Sequence, residues 1–277
     1  MSHADQLFKE TCRQVLQSGM RQAPPLNVRP RWDDGEPAYT IRSFGIVNRY
    51  DLSKGFPILT IRKFNYKKAI DEILWIWQKK SNRLSELDSK VWDAWAKEDG
   101  TIGKAYGYQL GQEYQFPEGK KDQVDHLLWQ LKNDPESRRM ICHMYNFSDL
   151  HEMALYPCAY SLSLSVIDGK LNGILNQRSQ DLLAASCWNV VQYAALLMAF
   201  AQVSELEVGE LVHVIVDAHI YDRHEAIVRE LLERPEYPAP VLKLDPSIKN
   251  FYDFTVDSFT LENYQSGPGI PRFPVAI

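Results

Sequence analysis

The chain has 277 residues, 45% hydrophobic, 12% aromatic and 24% charged, and its 31 Lys and Arg against 36 Asp and Glu give a net charge of −5. That composition excludes a disordered or low-complexity chain and lacks the global basic field of a nucleic-acid or membrane-surface binder. Its 7 Trp and 14 Tyr supply large, partly polar side chains suited to lining a pocket.

The N-terminus is polar from Ser2 onward and carries no apolar leader. The most apolar run, Tyr193 to Ala201, is far below the ~20 residues that cross a bilayer. Cys12, Cys142, Cys158 and Cys187 lie far apart, with no CxxC pair and no zinc-ligand spacing. Free thiols in a reducing cytoplasm are expected, and any one of them also reads as a small buried hydrophobe.

In chain order, Phe8, Cys12, Val15 and Leu16 form one face of a helix from Ala4 to Gln17, stopped by Gly19. Pro24, Pro25, Pro30, Pro37 and Asp33-Asp34-Gly35 make Arg21 to Pro37 a loop. Helical stripes follow at Lys67 to Lys80 and Val124 to Asn133. Tyr160 to Ile167 alternates Tyr160, Leu162, Leu164 and Val166 with Ser161, Ser163 and Ser165, so it reads as a strand, and Asp168-Gly169 turns it into a second strand, Lys170 to Asn176. The serine row fits either a closely packed second sheet or solvent. Asn189 to Val203 is an apolar helix, Leu211 to Val216 an apolar strand broken only by His213, and Glu225 to Glu233 a helix. With no repeat and no linker, this order predicts one α+β (α/β layered) domain over 1–277, a mixed β-sheet covered by helices.

Three polar clusters interrupt this packing pattern. Cys158 follows Pro157 just before a strand, where a rigid turn fixes the direction of the thiol; reactivity would also need a positive neighbour. Asn176 to Asp181 is a polar run between a strand and an apolar helix, and its Arg178-Ser179 pair suits an oxyanion such as phosphate. Asp217 to His224 places His219 and Tyr221 on one face at the end of a buried strand. Each alone also reads as solvated loop or satisfied structural residues.

Taken in order, Pro157-Cys158, Gln177-Arg178-Ser179-Gln180-Asp181, Asn189 and Asp217-Ala218-His219-Ile220-Tyr221 resemble the thymidylate synthase family. Further ordered matches at 55–60, 71–75, 91–95, 105–107, 122–123, 134–139 and 274–277 extend the resemblance over almost the whole chain. It implies reductive methylation of dUMP to dTMP, with 5,10-methylenetetrahydrofolate as donor of one carbon and hydride, and neither metal nor nicotinamide. Cys158 matches the nucleophile that adds to C6 of uracil, Glu72 the carboxyl that assists proton transfers, and Tyr106 a tyrosine near the proton-removal step. For dUMP, Arg178 and Ser179 match phosphate contacts, Asn189 the reader of the uracil edge, and His219 and Tyr221 the pair at the deoxyribose 3′-hydroxyl. Arg29 is assigned as the loop arginine, with Arg31 as its alternative. Arg138 and Arg139 match a pair donated to the neighbouring subunit's phosphate site, which implies a homodimer and makes the serine row a candidate sheet-to-sheet contact. Trp92, Trp95, Asp181, Trp188 and the C-terminal Ile277 match the folate side, core packing being the other account of Trp92 and Trp95.

The chain departs from the family pattern in three places. Ala159 stands where a His usually follows the nucleophile. Ala184-Ala185-Ser186-Cys187-Trp188-Asn189 replaces Leu-Gly-x-Pro-Phe-Asn, so Trp188 is expected to take over a Phe contact and folate affinity to be unusual. The phosphate loop reads Asn27 to Trp32 in place of the common glycine-rich pattern. The rival readings are a deoxypyrimidine-monophosphate hydroxymethylase of the same fold, whose cytosine-specific type would carry Asp at 189, and a nucleotide- or RNA-binding regulator without turnover.

Overall fold

Alternation, turn chemistry and small residues place one twisted sheet at the centre of the molecule. The computed structural model describes residues 2–270 and 272–277. In chain order it holds α1 (His3–Ser18), β1 (Met20–Arg21), β2 (Thr40–Asp51), α2 (Tyr66–Trp77), α3 (Gly107–Leu110), β3 (Glu113–Phe116), β4 (Gly119–Asp122), α4 (Gln123–Asn133) and β5 (Ile141–His143). After these come β6 (Ala159–Ile167), β7 (Lys170–Gln177), β8 (Gln180–Asp181), α5 (Ser186–Val203), β9 (Glu207–Tyr221), α6 (Glu225–Glu233), β10 (Val241–Leu244) and β11 (Phe259–Glu262). Seven strands form the main sheet in the order β1-β2-β9-β7-β6-β5, with β8 paired to β9. All neighbours are antiparallel except β7 and β8 against β9, so the sheet is mixed.

The β6–β7 hairpin turns on Asp168 at φ 51° and Gly169 at φ 73°, the two positive values that a type I′ turn requires. Leu162 and Leu164 point inward, as do Leu171 and Leu175 on β7, while Ser163 is half-buried and Ser165 exposed on the outer face. The helix α5, apolar on nearly every side, covers the inner face and packs against α2. It starts at Ser186, three residues before the sequence pattern places it. Gly19, beyond α1, has an ordinary φ; the residue is small because a Cβ there would lie 2.4 Å from the Val15 carbonyl oxygen and 2.9 Å from Ile41.

Two features go beyond the sequence reading. The strand β2 is absent from it, because Phe44 and Val47 are 86% and 54% exposed on the outer face and break the apolar-in, polar-out alternation. β9 runs 15 residues, so Asp217 to Tyr221 lie on the strand itself, and Asp217, His219 and Tyr221 carry their side chains to the edge of a cavity.

Candidate active site

Cys158 is the last residue before β6, and its backbone is clamped on both sides. Its N–H donates to the Tyr106 hydroxyl at 3.0 Å, and its carbonyl accepts from the Arg178 N–H at 2.9 Å. Arg178, just past β7, is pinned in turn: Nε donates to the Pro157 carbonyl at 3.0 Å and Nη2 to that of Tyr156 at 2.6 Å. The same Nη2 lies 3.8 Å from the Cys158 sulfur. A fixed cation beside a half-buried thiol is the arrangement that nucleophilic sulfur needs. Burial still pushes the Cys158 thiol up, and Arg178, Tyr106 and Arg29 pull it back without cancelling that effect.

Tyr106 reaches the Cys158 amide from a strained backbone, φ 48° and ψ −108°, held because Gly107 lets the chain pass Ser81, whose carbonyl oxygen would lie 2.3 Å from a Cβ. Its ring packs edge-on to Trp92 at 5.0 Å, and Trp92 to Trp95 at 5.8 Å.

A chain of amides fixes Asn189. Gln177 on β7 donates from Nε2 to the Ser179 carbonyl at 3.0 Å and to Asn189 Oδ1 at 3.1 Å. Because the carbonyl can only accept, the orientation of the Gln177 amide is set. Its Oε1 therefore accepts from His213 Nε2, 2.8 Å away, and His213 is fully buried and neutral, its imidazolium pushed down to about 3 by burial. Asn189 Nδ2 then donates to Gln192 Oε1 at 3.1 Å, one helical turn along α5.

That turn of α5 faces Glu72 on α2. Glu72 is 5% exposed, and Trp188 donates its indole N–H to Glu72 Oε2 at 2.9 Å. The Gln192 amide nitrogen and the Trp92 indole nitrogen, both buried and without a hydrogen-bond partner among the described residues, lie near the same carboxyl. Burial pushes Glu72 up to about 7 against the opposing pull of Gln192, Trp188 and Trp92.

An open cavity of about 1040 Å³ has Arg29, Arg178, Ser179, His219 and Tyr221 in its wall, and Arg178 connects it to the thiol. His219 Nδ1 is 3.1 Å from Asp217, which also pairs with Arg42, so the imidazole presents Nε2 to the cavity. Arg29 is exposed in this wall, whereas Arg31 spends its guanidinium on the Val28 carbonyl at 2.7 Å and its backbone on Ile277 through two 2.9 Å hydrogen bonds. Asp181 accepts from the amides of Leu183 at 2.9 Å and Ala184 at 3.2 Å, and its second oxygen lies 3.4 Å from His224 Nδ1. Burial would push Asp181 up, but His224, His219 and the Ala184 amide hold it below the usual carboxylate range. His224 Nε2 meets the Pro274 carbonyl at 2.7 Å, which ties the C-terminal tail to this carboxylate.

Arg138 and Arg139 are not brought to this cavity. Both are exposed between α4 and β5, at the opposite edge of the sheet from β1 and β2. Sequence reasoning gave no role to His213, Gln177, Gln192, Asp217 or His224. The one polar break in the apolar run of β9 was the available signal for His213. Among the described residues no group of three His, Cys, Asp or Glu could hold a metal ion, and no helix is long and apolar enough to cross a membrane.

A family model described as thymidylate synthase matches residues 6–277. The chain is 44% identical over 282 residues to a thymidylate synthase of Bacillus licheniformis and 43% identical over 282 residues to one of Bacillus phage phi3T, covering 100% of each chain in both pairs. The structure of thermostable thymidylate synthase A from Bacillus subtilis superposes with a TM-score of 0.93 at 41% identity, over 99% of both chains.

Proposed function

The chain belongs to the thymidylate synthase family and converts dUMP to dTMP with 5,10-methylenetetrahydrofolate, and we propose the following roles for its own residues in that reaction. Cys158 is the nucleophile. Its sulfur bonds to C6 of the uracil, the electron pair of the 5,6 double bond moves toward C5 and O4, and C5 becomes the carbon nucleophile. Arg178 and Ser179 hold the phosphate with Arg29, and the cation beside the sulfur favours its ionised form once substrate is seated. Asn189, with its amide set by Gln177, reads O4 and N3–H of uracil. His219 and Tyr221 bind the 3′-hydroxyl.

Folate supplies the one-carbon unit and the hydride. Trp92, Trp95 and Trp188 offer it aromatic surface, and the ionised Asp181 offers an acceptor for ring N–H groups, a donor set that fits a pterin. Glu72 moves protons near the reacting ring, and Tyr106 stands at the C5 proton. The tail ending at Ile277 excludes water when it closes.

A homodimer is part of this reading. Phe44, Val47, Ile174 and Val216 expose apolar surface on the outer sheet face beside the serine row, and Arg138 and Arg139 lie away from their own chain's cavity. The whole chain serves as one domain around one buried core, and its four free cysteines fit a cytoplasmic setting.

The observation that carries the assignment is the Arg178 guanidinium 3.8 Å from Cys158, at the rim of an arginine-lined cavity. Cys158→Ser is expected to abolish tritium release from 5-tritiated dUMP while dUMP still binds; turnover retained in this variant overturns the nucleophile. Dihydrofolate formed stoichiometrically with dTMP separates this reaction from hydroxymethylation.

A further inference from the structure

The side chain that departs from the family pattern next to the uracil reader, Trp188, does more than present a ring. As an aromatic platform a phenylalanine would serve equally well; what the indole adds is one N–H. That N–H is 2.9 Å from Glu72 Oε2, and the ring is held at the angle that delivers it by an edge contact with Phe64, centroids 5.5 Å apart. Trp188 and Gln192 are four residues apart on α5, so both project from one face toward the same carboxyl. We propose that Trp188 is a positioning residue for Glu72: its indole N–H fixes which oxygen of the carboxyl is tied to α5, leaves the other free for proton transfer, and stabilises the ionised form. The inference rests on the reading of Glu72 as the proton-handling carboxyl.

The groups facing Glu72 from its surroundings are consistent with a single adjustable ionisation. Asp71, its neighbour on α2, opposes a second negative charge. Tyr106 and Tyr193 are both buried with hydroxyls pushed up, so they stay neutral while Glu72 titrates. The Trp92 and Gln192 nitrogens lie close enough to favour the carboxylate but make no hydrogen bond to it and do not titrate, so the Trp188 N–H is its one side-chain donor among the described residues. A hydrogen bond from Trp188 favours the carboxylate, and its loss raises the ionisation midpoint.

The test replaces Trp188 with 3-benzothienylalanine, which keeps the bicyclic shape and lacks the N–H, and compares it with Trp188→Phe. The carboxylic C=O stretch that disappears in Glu72→Gln is followed against pH by difference infrared spectroscopy, a readout that needs no turnover. The expected result is a midpoint moved up by about one pH unit, tenfold in the ionisation constant, in both variants. The limb of the kcat–pH profile should move with it and the KM for dUMP should not. A midpoint unmoved in the isosteric variant overturns the proposal, whether or not dTMP is made. A band that shifts in a protein that makes no dTMP supports the contact and overturns the function assigned to the site instead.

Discussion

Glu72→Gln is expected to stabilise the protein at alkaline pH while disabling it. The carboxyl is 5% exposed and has been pushed from 4.5 to about 7 by burial. Between those two values the unfolded chain has released this proton and the folded chain still binds it. More protons on the folded state means that stability falls as pH rises through this window, then stays level above it. The gap is about 2.5 pH units, and at 1.36 kcal/mol per unit the full penalty is about 3 kcal/mol above pH 7, shrinking below about 1 kcal/mol at pH 5. Little solvent screens the group, so no large discount applies.

Glutamine has the same shape and cannot ionise. Its amide leaves one N–H to be matched, at a cost that does not vary with pH and so cancels in the comparison. Urea unfolding of both proteins at pH 5 and pH 8 should show the variant gaining about 2 to 3 kcal/mol relative to the parent between the two. Catalysis should be lost at both pH values. Stability curves that run parallel across this range would refute the claim that Glu72 is held protonated by burial, and with it the account of why a carboxyl sits in this apolar helix.

The remaining predictions address the other parts of the site. Gln177→Leu frees the Asn189 amide to flip; losing a hydrogen bond of about 1 kcal/mol should cut the preference for dUMP over dCMP, read as the ratio of kcat/KM, about fivefold. His213→Leu leaves the Gln177 anchor on Ser179 intact and should lower the urea midpoint with that ratio unchanged. Cys158 should be alkylated by iodoacetamide faster as pH climbs past 9, with Arg178→Gln shifting that dependence further up, because burial raises the thiol and the guanidinium opposes it. Arg138→Ala mixed with Cys158→Ser should recover activity in heterodimers, since one hybrid site keeps its own sulfur and receives an intact arginine; heterodimers without activity would confine the arginines to their own chain.

The sheet was readable where one face is apolar and the other polar. The hairpin of β6 and β7 follows from the leucine and serine alternation and from Asp168-Gly169, and its bounds differ by one residue. β2 was not readable, because Phe44 and Val47 put apolar residues on its outer face among Arg42 and Arg49, and Gly45 at φ 75° interrupts its pairing with β9. A pattern built on one polar outer face has no signal for a strand whose outer face mixes Phe44 and Val47 with Arg42 and Arg49. The parallel pairing of β7 with β9 across α5 was missed because the polar run at 176–181 reads as loop and gives no sign that the chain crosses over through α5 to pair beside β7.

Within the site, the residues legible in the sequence are those whose role belongs to their own motif: Cys158 after Pro157, Arg178-Ser179, His219 and Tyr221. The illegible ones act through register. His213 meets Gln177 across 36 positions only because β7 and β9 run parallel with Gln177 opposite Ile215, and Trp188 meets Glu72 across 116 positions only because α5 lies on α2. Reading Trp188 as a substitute for a phenylalanine compares rings, and a ring comparison carries no information about where an N–H points. The direction is set by Phe64 and by the packing of α5 on α2, both of them contacts with residues far from Trp188 in the chain. A substitution beside the uracil reader therefore acts on a carboxyl one helix away, and the ionisation of Glu72 is the quantity through which it should be felt.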